Sequence, residues 1–190
     1  MLRKKWIFVT ILLLLFILVV WTIWGNVTVG VTHYTITSNR LPHSFNGYKI
    51  AVVSDLHNAQ FGNNNSRLVE KVKKEQPDII AITGDLVDSN RIDIEIAIQL
   101  VSQLTEIAPC YYVTGNHECN LSIFNQSTFD NLIEDLMSLG VEVLRGDSSV
   151  IELPNKEKIN IFGIDDPYFH CGNASQVAET TDELCSSLTV

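Results

Sequence analysis

Apolar and polar positions fall into two regimes along this chain. Residues 6–24, WIFVTILLLLFILVVWTIW, are 19 positions without a charge, whereas from residue 27 onward the apolar runs are short and regularly broken. At 1.5 Å per residue the first stretch makes a helix of about 28 Å, close to the hydrocarbon thickness of a bilayer. Trp6, Trp21 and Trp24 stand near its two ends, where amphipathic rings favour the membrane interface. The run ends in Trp24, Gly25 and Asn26 without a small-residue cleavage pattern, so an uncleaved anchor is expected rather than a signal peptide.

In the second regime, VTVGVTHYTIT (27–37) alternates as a strand does. YKIAVVS (48–54), PDIIAIT (77–83) and CYYVT (110–114) are compact apolar runs that predict strands buried on both faces. Helices are predicted over 66–76, with Ser66 as N-cap, over 92–104, and over 128–140, closed by Gly140. Shorter strands are expected at 141–144, 149–153 and 159–164, the last two joined as a hairpin across PNK, and a helix at 173–188. Strand and helix alternate about every 30 residues, which predicts βαβ crossovers, a parallel sheet and an α/β fold. The domain order is an anchor with a basic tip (1–25), a linker with a first strand (26–47), and an α/β domain (48–190).

Charge sharpens this picture. Arg3, Lys4 and Lys5 precede the anchor, which predicts a single-pass protein of the cell membrane with a cytoplasmic N-terminus and the bulk extracytoplasmic. That bulk holds all 22 acidic residues and 10 of the 13 basic ones, a formal net charge of −12. So acidic a domain is not expected to bind nucleic acid, which requires cations against phosphates. Handling an anionic substrate would call for metal ions. The four cysteines, Cys110, Cys119, Cys171 and Cys185, form no C-x-x-C pair, and three disulfide pairings remain open.

The three main strands end alike. The first runs into Asp55-Leu56-His57, the second into Gly84-Asp85-Leu86-Val87-Asp88, and the third into Gly115-Asn116-His117-Glu118. Asp55 to Asp85 is 30 residues and Asp85 to Asn116 is 31, so parallel neighbours would project these groups from one sheet edge. Crowded carboxylates push each other's ionisation upward unless a cation compensates. An Asp/His/Asn set of O and N donors suits Mn, Fe or Zn.

DLH, GDLVD and GNHE at this spacing resemble the first three motifs of the calcineurin-like metallophosphoesterase superfamily. The anchor and GIDDP (163–167) are similar to its bacterial, membrane-associated branch. The resemblance implies a two-sheet sandwich flanked by helices and a centre of two divalent metal ions that hydrolyses a phosphoester. By position, Asp55 and His57 would bind the first metal, Asp85 would bridge both, and Asn116 would bind the second. His117 would serve the leaving oxygen, Asp88 would orient His117, and Glu118 would be structural. The implied substrate is a phosphorylated small molecule or a lipid-linked phosphate.

The family pattern continues with a strand-end histidine and a G-H-x-H motif, neither of which occurs here; His170 in PYFHCG is a poor substitute. The domain is therefore expected to lack its C-terminal part, and a non-catalytic metal-binding or interaction module is the alternative to an enzyme.

Overall fold

The computed structural model describes residues 2–169. The chain opens with helix α1 (Leu2–Val27). Its segment Lys5–Thr22 has a mean hydropathy of 2.4 and no buried part, long and apolar enough to cross a membrane. Within it, the hydroxyls of Thr10 and Thr22 donate to the carbonyls of Trp6 and Leu18, so neither polar group is left for lipid to satisfy.

Four parallel strands follow, β1 (Ile50–Val53), β2 (Ile79–Thr83), β3 (Cys110–Val113) and β4 (Glu142–Val143), in the order β1-β2-β3-β4. The crossovers are α2 (Ser66–Glu75), α3 (Ile94–Thr105), and the pair α4 (Asn116–Phe124) and α5 (Gln126–Ser138). A strand order that never reverses puts right-handed crossovers on one face. Accordingly Val53, Ile80, Ile82, Cys110 and Tyr112 bury against Val72 of α2, Leu100 and Leu104 of α3, and Phe129, Leu132 and Leu136 of α5. The spacing of Ala97, Leu100, Val101 and Leu104 gives α3 one apolar stripe, which is the face it buries.

The opposite face is free for a second layer. The antiparallel hairpin β5 (Ser148–Glu152) and β6 (Lys158–Phe162) packs there, Ile151, Ile159 and Ile161 clustering with Ile79, Tyr111 and Phe45. The result is an α/β fold in which one parallel sheet carries helices on one face and a two-stranded sheet on part of the other. Near β1 that cover stops: Ile50 and Val52 are 52% and 65% exposed.

Three expectations need correction. Residues 28–38 form no strand, because their alternating pattern meets no sheet edge; the segment is held instead by His33 Nε2 against Glu75 Oε2 at 2.8 Å. GNHE, expected only as a strand end, also opens a helix, α4, with Gly115 as its N-cap. The helix expected from 128 begins at Gln126, capped by Asn125, whose side chain accepts from the Thr128 N–H. Among the described residues Cys110 and Cys119 are buried free thiols, and burial pushes the Cys110 thiol up to about 11. Cys171, Cys185, His170 and the helix expected at 173–188 lie outside the described residues.

Candidate metal centre

Parallel pairing in register, with Val53 beside Ile82 and Thr83 beside Val113, brings the three strand ends together at the carboxyl edge of the sheet. Their backbones nearly touch. A Cβ on Gly84 would stand 2.4 Å from the Gly115 nitrogen, and one on Gly115 would stand 2.3 Å from Asp85 Oδ1. Only glycine permits this approach, which accounts for the G in both GDLVD and GNHE.

Asp85 sits at the middle of the cluster, 7% exposed. Its Oδ1 accepts the His117 backbone N–H at 2.8 Å, in the first turn of α4, while Oδ2 lies 3.8 Å from His57 Nε2. The same His57 nitrogen is 3.8 Å from Asp55 Oδ1. The rings of His57 and His117 meet edge to face, with centroids 4.4 Å apart. Ligand atoms of His57, Asp85 and His117 all lie within 4.8 Å of one another. Asp55 is more open, its side chain 67% exposed, and Asn116 is exposed at the first position of α4.

The backbone carries strain here. Asp55, His57 and Asp85 adopt left-handed conformations, with φ of 55°, 46° and 52°. Each costs about 1–2 kcal/mol for a residue with a side chain, and such outliers gather where a site demands them. Carboxylates and imidazoles converging within 4.8 Å, one carboxylate buried, match the donor set of a divalent cation.

His117 is oriented from an unexpected direction. The Ser89 N–H donates to its Nδ1 at 3.0 Å, and Ser89 Oγ lies 3.2 Å from the same atom. A backbone N–H can only donate, so Nδ1 is the acceptor and the neutral ring carries its proton on Nε2. Asp88 Oδ1 is 3.6 Å from Nδ1, beyond a hydrogen bond but within ion-pair range of a protonated ring. The Asn90 backbone N–H, at 2.9 Å, occupies that oxygen and holds the Asp88 carboxyl below its ordinary value. Asn58, directly after DLH and buried, fastens this loop: its Oδ1 accepts from the Asp88 N–H, and its Nδ2 donates to the Arg91 carbonyl.

Glu118 is fully buried beneath the cluster. Its carboxylate accepts backbone N–H groups from Asp85 at 2.8 Å, Gly115 at 2.9 Å and Val87 at 3.3 Å. One side chain thereby clamps two motif loops. Burial pushes its carboxyl upward, although these three donors pull the other way. Below it the hydroxyl of Tyr112 is buried and faces Glu118, without a hydrogen bond of ordinary geometry among the described residues. Behind β3, Thr114 Oγ1 donates to the buried Asp165 Oδ1 at 2.6 Å, and Arg145 grips Asp165 with Nη2 at 2.8 Å. The Arg145 guanidinium lies 5.1 Å from the Phe129 ring and 5.0 Å from that of Phe169. GIDDP thus contributes Asp165 as a support of the strand that carries GNHE. Sequence reasoning had no access to Ser89, whose contribution is a backbone group, nor to the Arg145–Asp165–Thr114 chain, whose members are far apart in sequence.

A cluster of acidic and imidazole donors at the carboxyl edge of a helix-flanked parallel sheet defines a metal-binding α/β protein. The chain belongs to the calcineurin-like phosphoesterase family, whose profile matches residues 48–185. A protein of Danio rerio called transmembrane protein with metallophosphoesterase domain is 30% identical over 131 residues, 67% of this chain and 29% of the relative. One of the same name from Bos taurus is 32% identical over 144 residues, 72% of this chain and 31% of the relative. An uncharacterized metallophosphoesterase of Aquifex aeolicus (strain VF5) is 33% identical over 138 residues, 72% of this chain and 49% of the relative. The chain therefore spans less than half the length of each of these relatives.

Proposed function

We propose that this chain belongs to a metal-dependent phosphoester hydrolase tethered to a membrane by α1. The observation that carries the reading is the convergence of His57, Asp85 and His117 within 4.8 Å at the carboxyl edge of the sheet, with His57 and Asp85 in left-handed backbone. In this reading Asp55, His57 and Asp85 would hold one divalent ion, and Asp85 and Asn116 would serve a second. When bound, such ions neutralise phosphate oxygens and make a water nucleophilic at neutral pH.

The chain's own groups supply the rest. Asp85, with Oδ1 tied to the His117 N–H, is held in one orientation before any ligand arrives. His117, with Nδ1 accepting from the Ser89 N–H, presents its Nε2–H as a hydrogen-bond donor to the charge that develops on the leaving oxygen of the ester. Asp88, with Oδ1 3.6 Å from Nδ1, places a negative charge beside the ring. A phosphate monoester or diester on a small molecule or a lipid is the substrate class.

The test is hydrolysis of a generic aryl phosphate by the natural full-length protein, before and after chelation. Loss of activity on chelation and its return with Mn²⁺ support the reading; a rate unchanged by exhaustive chelation refutes it.

A further inference from the structure

The domain is acidic, yet four of the ten basic residues beyond the anchor, Arg67, Lys71, Lys73 and Lys74, fall in the ten residues of α2. Leu68, Val69 and Val72 turn the apolar stripe of α2 to the core. Arg67, Lys71 and Lys74 fall at i, i+4 and i+7, which aligns them on a different stripe of the helix. All three are exposed. Together with Glu70 they line a cleft of about 280 Å³ whose other wall is Thr28 and Val29, the residues that immediately follow α1.

The path of the linker ties the end of α1 to α2. His33 is bonded to Glu75 at the C-terminal end of α2, whereas Thr28 and Val29 lie against the basic stripe, so the chain follows α2 downward from the anchor. The end of α1 is thus held beside the stripe. Since α2 begins just after the loop bearing Asp55 and His57, the Arg67 end of the stripe lies toward the sheet edge that carries the cluster.

We propose that the Arg67–Lys71–Lys74 stripe is a headgroup-contact surface that seats α2 on the anionic lipids around the anchor. The proposal rests on the reading of α1 as a membrane anchor. Cations at an anionic bilayer surface each gain on the order of a fivefold preference, and the gain decays within a Debye length. The stripe flanks Thr28 and Val29 at the anchor's exit, and the gain falls off along α2 from Arg67 toward Lys74. Lys71 and Lys74 are exposed; Glu70 shares their cleft, and the Glu75 carboxylate is held below its ordinary value first by His33 and also by Lys74.

The test is lysine acetylation of the full chain, read by mass spectrometry, in vesicles of phosphatidylcholine alone and in vesicles that also contain phosphatidylglycerol. Lys73, on another face of the same helix, and Lys156, on the β5–β6 turn, are internal controls. The expected result is modification of Lys71 and Lys74 about fivefold slower in the anionic vesicles, with both controls changing less than twofold. The difference should vanish near 1 M salt, where the Debye length is about 3 Å. Equal rates in both vesicles, or equal slowing of Lys73 and Lys156, overturn the proposal. Flotation after an alkaline wash separates the two readings. A chain that floats with both vesicles yet shows equal rates refutes the headgroup contact alone; one that fails to float refutes the anchor and the contact with it.

Discussion

Replacing Glu118 separates the acceptor role of a buried carboxylate from its charge. Glu118→Ala deletes the acceptor of three buried backbone N–H groups, those of Asp85, Val87 and Gly115. Leaving a buried donor unsatisfied costs about 1–3 kcal/mol, so the loss is roughly 3–9 kcal/mol against a total stability of about 5–15 kcal/mol. Glu118→Gln keeps one acceptor oxygen for the Asp85 and Gly115 N–H groups, gives up only the longest contact, 3.3 Å to the Val87 N–H, and removes the charge. Burial raises the Glu118 carboxyl above 4.5 in the folded state, so the folded chain binds the proton more tightly than the unfolded chain. With that sign, the wild type loses stability as pH rises through the ordinary carboxyl value toward the raised one, while the Gln variant does not. At neutral pH the Gln variant should therefore lie within about 1 kcal/mol of wild type, and should gain on it as pH rises from acid. Urea unfolding of the detergent-solubilised chain reads both effects. With a slope near 2 kcal/mol/M, the Ala variant shifts the midpoint down by at least about 1.5 M and the Gln variant by under about 0.5 M. An Ala midpoint near wild type would refute the clamp, and a Gln variant as unstable as Ala would refute the argument that its charge is dispensable.

Other outcomes follow from the same contacts. Gly115→Ala places a Cβ 2.3 Å from Asp85 Oδ1 and should lower Mn²⁺ affinity by about tenfold or more, measured by titration calorimetry. His57→Ala should lose metal, whereas His117→Ala should keep its metal content and slow hydrolysis by about 10²–10⁴-fold; equal metal loss in both would reject the division of roles. Tyr112→Phe removes a buried hydroxyl that faces Glu118 without a hydrogen bond of ordinary geometry among the described residues, and should change stability by less than about 1 kcal/mol in the same urea assay.

The legible part of this molecule was the part written in local pattern. The runs ending in DLH, GDLVD and GNHE predicted the parallel strands, and their spacing of about 30 residues predicted one shared edge, because a βαβ unit has little freedom in where its strand ends fall. Residues 27–37 misled because period-two alternation reports a tendency to be half-buried, and here no neighbouring strand was present to pair with. The helix at Asn116 was hidden because its first turn is polar throughout, its donors being spent on Asp85 and its Glu118 on the adjoining loop. The link from Ser89 to His117 was invisible for a different reason: a backbone N–H contributes the contact, and no residue type marks it. Asp165 was noticed only as part of GIDDP; its bonds to Thr114 and Arg145 join residues 51 and 20 positions away, which no local pattern encodes.

The central claim is that the three strand ends form a metal centre organised around Asp85. The most direct measurement is the Mn²⁺ content of the chelated and reloaded protein, by inductively coupled plasma mass spectrometry, for wild type beside Asp85→Asn. The variant keeps an oxygen able to accept the His117 N–H, so the fold is retained, but it removes the charge shared between the proposed ions. The account predicts Mn²⁺ bound by the wild type and lost from the variant, with aryl phosphate hydrolysis by the full-length protein falling in step. Equal metal content in the two proteins would contradict it.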